Sequence, residues 1–356
     1  MPEPSGPVRL ADHTTLHLGG PAAEFVLAAS EQQLIDAVSA ADAAGRPVLV
    51  LGGGSNLVVA DEGFDGVVVK VATAGVGADI EDADDPSCGG VLVEVAAGEV
   101  WDDLVASAVE RGWVGVEALS GIPGSVGATP IQNVGAYGQE VAQTIASVRV
   151  WDRRLRGVRT FAAAECGFGY RWSRFKADPA RHVVLSVRFQ FRTGTLSAPI
   201  AYDQLARELE VEPGARVGLG RVRRAVLALR RGKGMVLYPD PARPDHDTWS
   251  AGSFFTNPVV EPSRVPPGAP AYPQPDGSVK TSAAWLIDHA GFAKGHAPAA
   301  LGGRVSLSTK HTLALTNRGT GTTADLVALA REIRDGVRER YRIELVPEPV
   351  LLGVEL

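Results

Sequence analysis

Three polar side chains of this chain stand in surroundings where they could do chemistry. Ser253 lies in WSAGSFFTNP (Trp249 to Pro258), after the small residues Ala251 and Gly252 and before Phe254 and Phe255. Small neighbours let a substrate approach the backbone, and two aromatics make a dry wall beside one hydroxyl. Such a hydroxyl could give or take a proton; a packed turn is the competing reading. Arg171 sits in ECGFGYRWSRFK beside Tyr170 and among other aromatics. A guanidinium there would be desolvated unless it held a carboxylate or another partner. Glu348 stands between two prolines in the apolar closing stretch IELVPEPVLLGVEL. It is either a solvated residue at the end of a strand or a carboxyl placed in a site.

Two glycine-rich segments suggest a ligand. PVLVLGGGSNLVV (Pro47 to Val59) reads as a strand, a glycine turn and a second strand. A Rossmann unit would have GxGxxG opening a helix, whereas Gly52-Gly53-Gly54-Ser55-Asn56-Leu57 runs back into β-branched residues. Backbone N–H groups in such a turn could cradle a diphosphate as a nest; a plain hairpin is the alternative. LSGIPGSVGATPIQNVGAYGQE (Leu119 to Glu140) carries no charge before Glu140. A long uncharged loop of Gly, Ser, Thr and Asn suits a large, flat, polar ligand that needs close backbone approach and neutral hydrogen bonds. A flavin with its ribityl chain and diphosphate has those properties.

The elements that would hold these residues alternate between strands and helices in the first half. Ser30-Glu31-Gln32-Gln33 is a capping-box pattern; Leu34, Val38 and Ala41 follow at helical spacing, and Gly45 supplies a stop. A second helix carries Trp101, Leu104, Val105, Ala108 and Val109 on one face and ends at Gly112. The arginines of SVRVWDRR and VVLSVRFQFR match the exposed face of alternating strands. Beyond Phe191, residues 194–199 read as a linker, followed by new helical segments and a basic helix ending near Lys233. A Pro-rich stretch from Pro258 to Pro275 reads as a surface loop, TSAAWLIDHAG as a short capped helix, and Thr323 to Arg342 as the last helix.

With 356 residues, 45% hydrophobic and 21% charged, the chain is an ordinary globular protein of two or three domains. Its net charge of −6 argues against a general nucleic-acid binder. Cys88 and Cys166 are far apart with no metal-ligand spacing, which fits free thiols and no metal site. The start MPEPSGPVRLADHT lacks a basic-then-apolar run, and no apolar run approaches membrane-spanning length. A cytoplasmic monomer with no membrane insertion is expected.

Taken together, TTLHLGGPA, LGGGSNLVV, GIPGSVGATPIQNVGAYGQE, GYRWSRFK, AGSFFTNP, PDGSVKTSAAWLID, STKHTLALTN and PEPV occur in an order that resembles the UDP-N-acetylenolpyruvoylglucosamine reductases, the MurB family of flavoenzymes. The resemblance covers nearly the whole chain. It implies an α+β fold: a two-lobed FAD-binding unit of the vanillyl-alcohol oxidase (PCMH) class over 1–196, with lobes of about 1–70 and 71–196. A smaller α+β substrate domain over 197–356 would follow, its last strand returning to the active site. FAD would lie against Gly52, Gly53, Gly54, Ser55, Asn56 and Leu57, and against Gly127, Ala128, Thr129, Ile131, Gln132, Asn133, Gly135 and Ala136. NADPH would reduce it and leave. UDP-GlcNAc carrying an enolpyruvyl ether would then take a hydride from the flavin N5 at C3. The resemblance makes Ser253 the proton donor to C2, with Arg171 and Glu348 completing the catalytic set. It further implies Tyr202, Lys233, Asn257, Lys294 and His311 as substrate contacts, with Tyr202 able to close over the pocket.

Two other readings compete. A flavin oxidase of the same fold would act on an alcohol or sugar, but no His or Cys sits in a flavin-attachment motif. A redox-inactive UDP-sugar-binding protein would explain Lys233 and Lys294 and leave both glycine-rich segments idle.

Overall fold

The computed structural model of the chain describes residues 7–79, 90–237 and 242–356; Cys88 lies outside them. The chain divides into two compact units. The larger is Glu24–Gly53 with Gly66–Arg231; the smaller is Met1–Ala23, Gly54–Asp65 and Gly232–Leu356. This division does not follow the boundary read between 196 and 197, because residues 197–231 belong to the larger unit. Their apolar residues Ile200, Leu205, Leu209 and Val222 close a small core around Ala118 of that unit.

The larger unit is built on an antiparallel sheet with strand order Gly157–Ala162, Ile145–Asp152, His182–Thr193, Gly90–Ala96, Val76–Asp79. Val148, Val150, Val187, Phe189, Val93 and Val95 alternate along these strands and are fully buried, so one face of the pleat makes the core. Helix Trp101–Glu110 packs into it with Trp101, Leu104, Val105 and Ala108, the stripe expected from the spacing; Val109 is only half-buried. Helix Glu31–Ala43 begins where Ser30 accepts a hydrogen bond from Gln33 N–H, as the capping box predicts, and a cap of that kind is worth about 1 kcal/mol. A second sheet, ordered Ala22–Ala28, Phe64–Val71, Val48–Leu51, pairs the last two strands in parallel.

The expected solvated arginine face is only partly present. Arg154, Arg156, Arg159, Arg188 and Arg192 are exposed, but Arg149 and Arg153 are half-buried and pair with Glu31 and Asp42 of helix Glu31–Ala43. Asp152, fully buried at a strand end, accepts from Arg181 Nη2 at 2.8 Å and from the N–H groups of Arg154 and Leu155 at 3.1 Å. The Arg181 hydrogen bond, opposed by burial, lowers the Asp152 carboxyl to about 2. A carboxyl depressed on folding stabilises above its unfolded value, near 3.8, and loses that contribution as pH falls toward its folded value. Acid titration should therefore remove about 2 kcal/mol from the larger unit between pH 5 and 2. Asp152→Asn should flatten that part of the profile, read as denaturant midpoint against pH; an unchanged slope would refute the assignment.

The smaller unit holds helix Thr323–Tyr341, whose Leu326, Leu329, Ile333 and Val337 are fully buried against Leu286, Ile287, Val305 and Leu315. Helix Ala283–His289 is capped by Ser282, and Gly291 takes the positive φ of a helix stop. The stretch Pro258 to Pro275 is not simply a loop: Val259–Val260 and Ala271–Pro273 pair with Val279–Thr281 on either side. The closing strand is also shorter than expected, only Val350–Leu352, because Pro347 and Pro349 cannot donate to a ladder. It runs parallel to Leu57–Val59. The glycine turn is therefore no hairpin: the strand before it, Val48–Leu51, and the strand after it pair with different partners.

Candidate active site

Within the smaller unit the structure brings Ser253 and Glu348 together. Gly252 has φ +73, and two residues later Phe254 N–H donates to Leu313 O at 2.7 Å. On its other edge Phe254 O accepts Glu348 N–H at 2.8 Å, and Phe255 bridges Pro347. Phe254 and Phe255 are 1% exposed and meet edge to face at 5.1 Å within the core of this unit. Ser253 and Glu348 are both half-buried. Asn56 joins the same place: its Nδ2 donates to Glu348 O at 3.4 Å and its O accepts Val350 N–H at 3.0 Å. Adjacent residues of three segments thus meet here: the end of the glycine turn, the Ser253 segment and the Glu348 approach.

His311 lies in the turn between strands Val305–Leu307 and Leu315–Asn317, two residues from the Leu313 carbonyl that holds Phe254. Lys294 is exposed, and the next residue, Gly295, donates to Ser308 O at 3.2 Å, which sets Lys294 beside that turn. Lys233 is half-buried in the segment after helix Leu219–Gly232. Asn257 is turned to structure: its Oδ1 accepts the Ala283 N–H at the start of helix Ala283–His289.

In the larger unit Arg171 adopts φ +52, a left-handed conformation that is strained for an arginine by about 1–3 kcal/mol. Its Nη2 donates to Gly135 O at 2.9 Å, and its guanidinium lies 5.6 Å from the centre of the Tyr170 ring. The partner that the sequence demanded is thus a backbone carbonyl, taken from the uncharged loop itself. Asn133, 1% exposed, bridges Glu140 Oε2 and Gly169 O through Nδ2 and accepts Ala142 N–H on Oδ1. Its side chain ties the uncharged loop to the Arg171 segment. Ser173 Oγ to Ile131 O at 2.6 Å and Lys176 Nζ to Gln132 Oε1 at 3.3 Å do the same. Tyr202, 47% exposed, meets Tyr137 edge to face at 5.7 Å.

The two glycine segments touch backbone to backbone: a Cβ on Gly53 would fall 2.6 Å from the Gly124 Cα. Gly127 is required by packing, since its Cβ would fall 2.5 Å from that of Ala97. Thr129 is spent internally on Val126 O, whereas Ala128 and Gly53 are exposed. In the turn, three carbonyls face into protein: Gly52 O accepts from Lys70 Nζ, Gly54 O from Thr15 N–H and Asn56 O from Val350 N–H. A turn whose carbonyls are so tied suits a ligand that accepts hydrogen bonds, and the adjacent ammonium suits a diphosphate.

Lys70 was not evident in the sequence reading, although a lone cation in the apolar run GVVVKV could have flagged it. Burial lowers its ammonium from the ordinary lysine value. Asp247 is the second residue missed. Among the described residues no group of three or more His, Cys, Asp or Glu could hold a metal ion, and no helix is long and apolar enough to cross a membrane.

Residues 22–156 match the FAD binding domain pattern, and residues 243–352 match that of the UDP-N-acetylenolpyruvoylglucosamine reductase C-terminal domain. The chain is 60% identical to the UDP-N-acetylenolpyruvoylglucosamine reductase of Cutibacterium acnes, over 97% of this chain and 89% of that one. It is 57% identical to the reductase of the same name from Saccharopolyspora erythraea, over 99% and 97%. The crystal structure of the Thermus caldophilus reductase superposes with a TM-score of 0.65 at 27% identity, covering 98% of both chains. On these findings the chain belongs to the UDP-N-acetylenolpyruvoylglucosamine reductase (MurB) family.

Proposed function

We propose that this chain reduces the enolpyruvyl ether of UDP-GlcNAc-enolpyruvate to UDP-N-acetylmuramate through Ser253, Glu348 and Arg171. Membership of the family makes it an FAD-dependent oxidoreductase of peptidoglycan precursor synthesis with NADPH as reductant. FAD, held by residues from Gly52 to Leu57 and from Gly127 to Ala136, would supply the hydride equivalent for reduction at C3 of the enolpyruvyl group. The chain's own residues must then supply a proton to C2 and stabilise the charge delocalised into the adjacent carboxylate.

Ser253 is the proton donor. A hydroxyl is a feeble acid in water, but an enol-like carbanion is a strong base, so the transfer runs downhill. Glu348 hydrogen-bonds the developing charge, and Arg171 neutralises the carboxylate on which it spreads. The observation that carries this reading is the Glu348 N–H to Phe254 O hydrogen bond, which sets the two segments side by side between buried aromatics. Tyr202, Lys233, Asn257, Lys294 and His311 are assigned to the nucleotide substrate, Asn257 through its backbone because its side chain caps a helix. Gly52 to Leu57 are assigned to the flavin diphosphate, and the remaining loop residues from Gly127 to Ala136 to its other polar groups. We assign flavin binding to 1–196 and substrate binding to 197–356, in a monomer acting in the cytoplasm.

The test is an anaerobic visible spectrum during addition of NADPH and then UDP-GlcNAc-enolpyruvate. A flavin band that bleaches and returns only with the nucleotide supports the reading. A band that returns only with oxygen would favour the oxidase instead, and a protein that takes up no FAD would refute both. Lys70→Met should separately weaken FAD binding about 10–100-fold, the worth of a charge-assisted hydrogen bond. Flavin fluorescence during titration of the apoprotein checks this, and an unchanged dissociation constant would remove Lys70 from the site.

A further inference from the structure

We propose that Asp247 is a positioning residue of the nucleotide-substrate site: its buried carboxylate fixes the turn carrying His311 relative to the Ser253 segment. The inference rests on the assignment of His311 and Ser253 made above, and all the contacts that carry it lie within the smaller unit.

Asp247 is 4% exposed on the short helical turn His246–Thr248, immediately before Trp249 and the Ser253 segment. Its Oδ1 accepts Thr309 N–H at 2.9 Å and Arg318 Nη1 at 3.0 Å; its Oδ2 accepts Thr309 Oγ1 at 2.6 Å. Burial works against the charge, but the Thr309 hydrogen bonds and Arg318 outweigh it and hold the carboxyl below its usual range. At neutral pH it is therefore an acceptor only, matched to the N–H and hydroxyl of Thr309, the Arg318 guanidinium and the Ser308 hydroxyl.

Thr309 opens the turn. Ser308 Oγ accepts the N–H groups of Lys310 at 3.0 Å and His311 at 3.1 Å, and His311 O accepts Ala314 N–H at 3.1 Å. Lys310 Nζ returns to Asp245, whose other oxygen accepts the Asp247 N–H. The far end of the turn reaches Phe254 through the Leu313 carbonyl. On the opposite side Gly234, with φ +66, lies against Asp247: a Cβ there would fall 2.9 Å from the Asp247 Cβ and 2.9 Å from its carbonyl oxygen. Lys233 precedes that contact. The turn carrying His311 thus takes its place from the Asp247 carboxylate, while the Lys233 segment packs against the Asp247 Cβ and backbone.

The first test compares Asp247→Ala with Asp247→Asn. An asparagine can keep the Thr309 and Arg318 bonds, with Oδ1 accepting Thr309 N–H and Arg318 while Nδ2 donates to Thr309 Oγ1. Asp247→Ala should raise KM for UDP-GlcNAc-enolpyruvate, and Kd for UDP alone, by 10-fold or more, while the rate of flavin reduction by NADPH stays within about twofold; an amide–carboxylate exchange that keeps geometry should hold both constants within about threefold. Thr309→Val, which loses one exposed-loop hydrogen bond, should move the same constants about threefold and serves if Asp247→Ala does not fold. Unchanged UDP affinity in Asp247→Ala, or in Thr309→Val, overturns the proposal, as does equal loss of both half-reactions. A wild-type protein that binds UDP but is not reoxidised by the enolpyruvyl nucleotide would refute the proposed reaction and leave the UDP measurement to decide Asp247. A wild type that does not bind UDP refutes both.

Discussion

Ser253→Ala is expected to keep flavin reduction by NADPH at the wild-type rate and to slow reoxidation by UDP-GlcNAc-enolpyruvate by about 10²–10⁴-fold, the usual contribution of a positioned general acid. The split follows from where the residue lies. Ser253 is not part of the core: Phe254 and Phe255 fill it, and the segment is held by backbone bonds from Phe254 to Leu313 and Glu348. Removing one half-buried hydroxyl leaves those bonds and the buried aromatics in place, so folding and FAD content should not change. Ser253→Cys supplies a different acid at the same Cβ and should recover part of the rate. Stopped-flow absorbance of each half-reaction checks the prediction. Equal loss in both would show that the hydroxyl orders the site and does not deliver the proton.

Arg171→Lys should lower the rate of the reoxidation half-reaction by about 10²–10³-fold, comparable to losing one fixed donor to a developing charge. The guanidinium has a fork of donors, one of which is committed to Gly135 O at 2.9 Å. That bond helps fix the plane of the guanidinium, and a planar fork of donors matches a carboxylate in a way an ammonium does not. An ammonium is a point charge on a flexible stem. Arg171→Gly provides the control: glycine adopts φ +52 without penalty, so this variant should be as stable as the wild type or slightly more so, yet equally slow. If Arg171→Lys turns over normally, the arginine serves only to anchor the Gly135 segment. A fall in melting temperature in Arg171→Gly would show that its hydrogen bonds outweigh the backbone strain.

Much of this architecture was legible in the residues because it depends on local rules. The cap at Ser30, the buried face of Trp101 to Ala108 and the stripe from Leu326 to Val337 are each set by spacing within one element. Turn glycines at Gly45, Gly112 and Gly291 sit where the chain must take positive φ. The stretch Pro258 to Pro275 was misread because its prolines outvoted two short strands, whose pairing partner Val279–Thr281 comes later in the chain. Arg149 and Arg153 were misread for a similar reason: alternation said exposed, but Glu31 and Asp42 reach them from a distant helix.

Residue types able to move a proton and steady a growing charge, and two glycine-rich stretches fit for a flavin, can be read along the chain, because those properties belong to a side chain and its immediate neighbours. Which residues meet depends on the folded chain. It set Glu348 beside Ser253 through a hydrogen bond spanning 94 positions from Phe254, and it gave Arg171 the carbonyl of Gly135 as its partner. It also turned Asn133 and Asn257 inward, to backbone groups that no local pattern names. Asp247 became visible only there, because a buried charge is defined by the donors and acceptors packed around it, and those come from elsewhere in the chain.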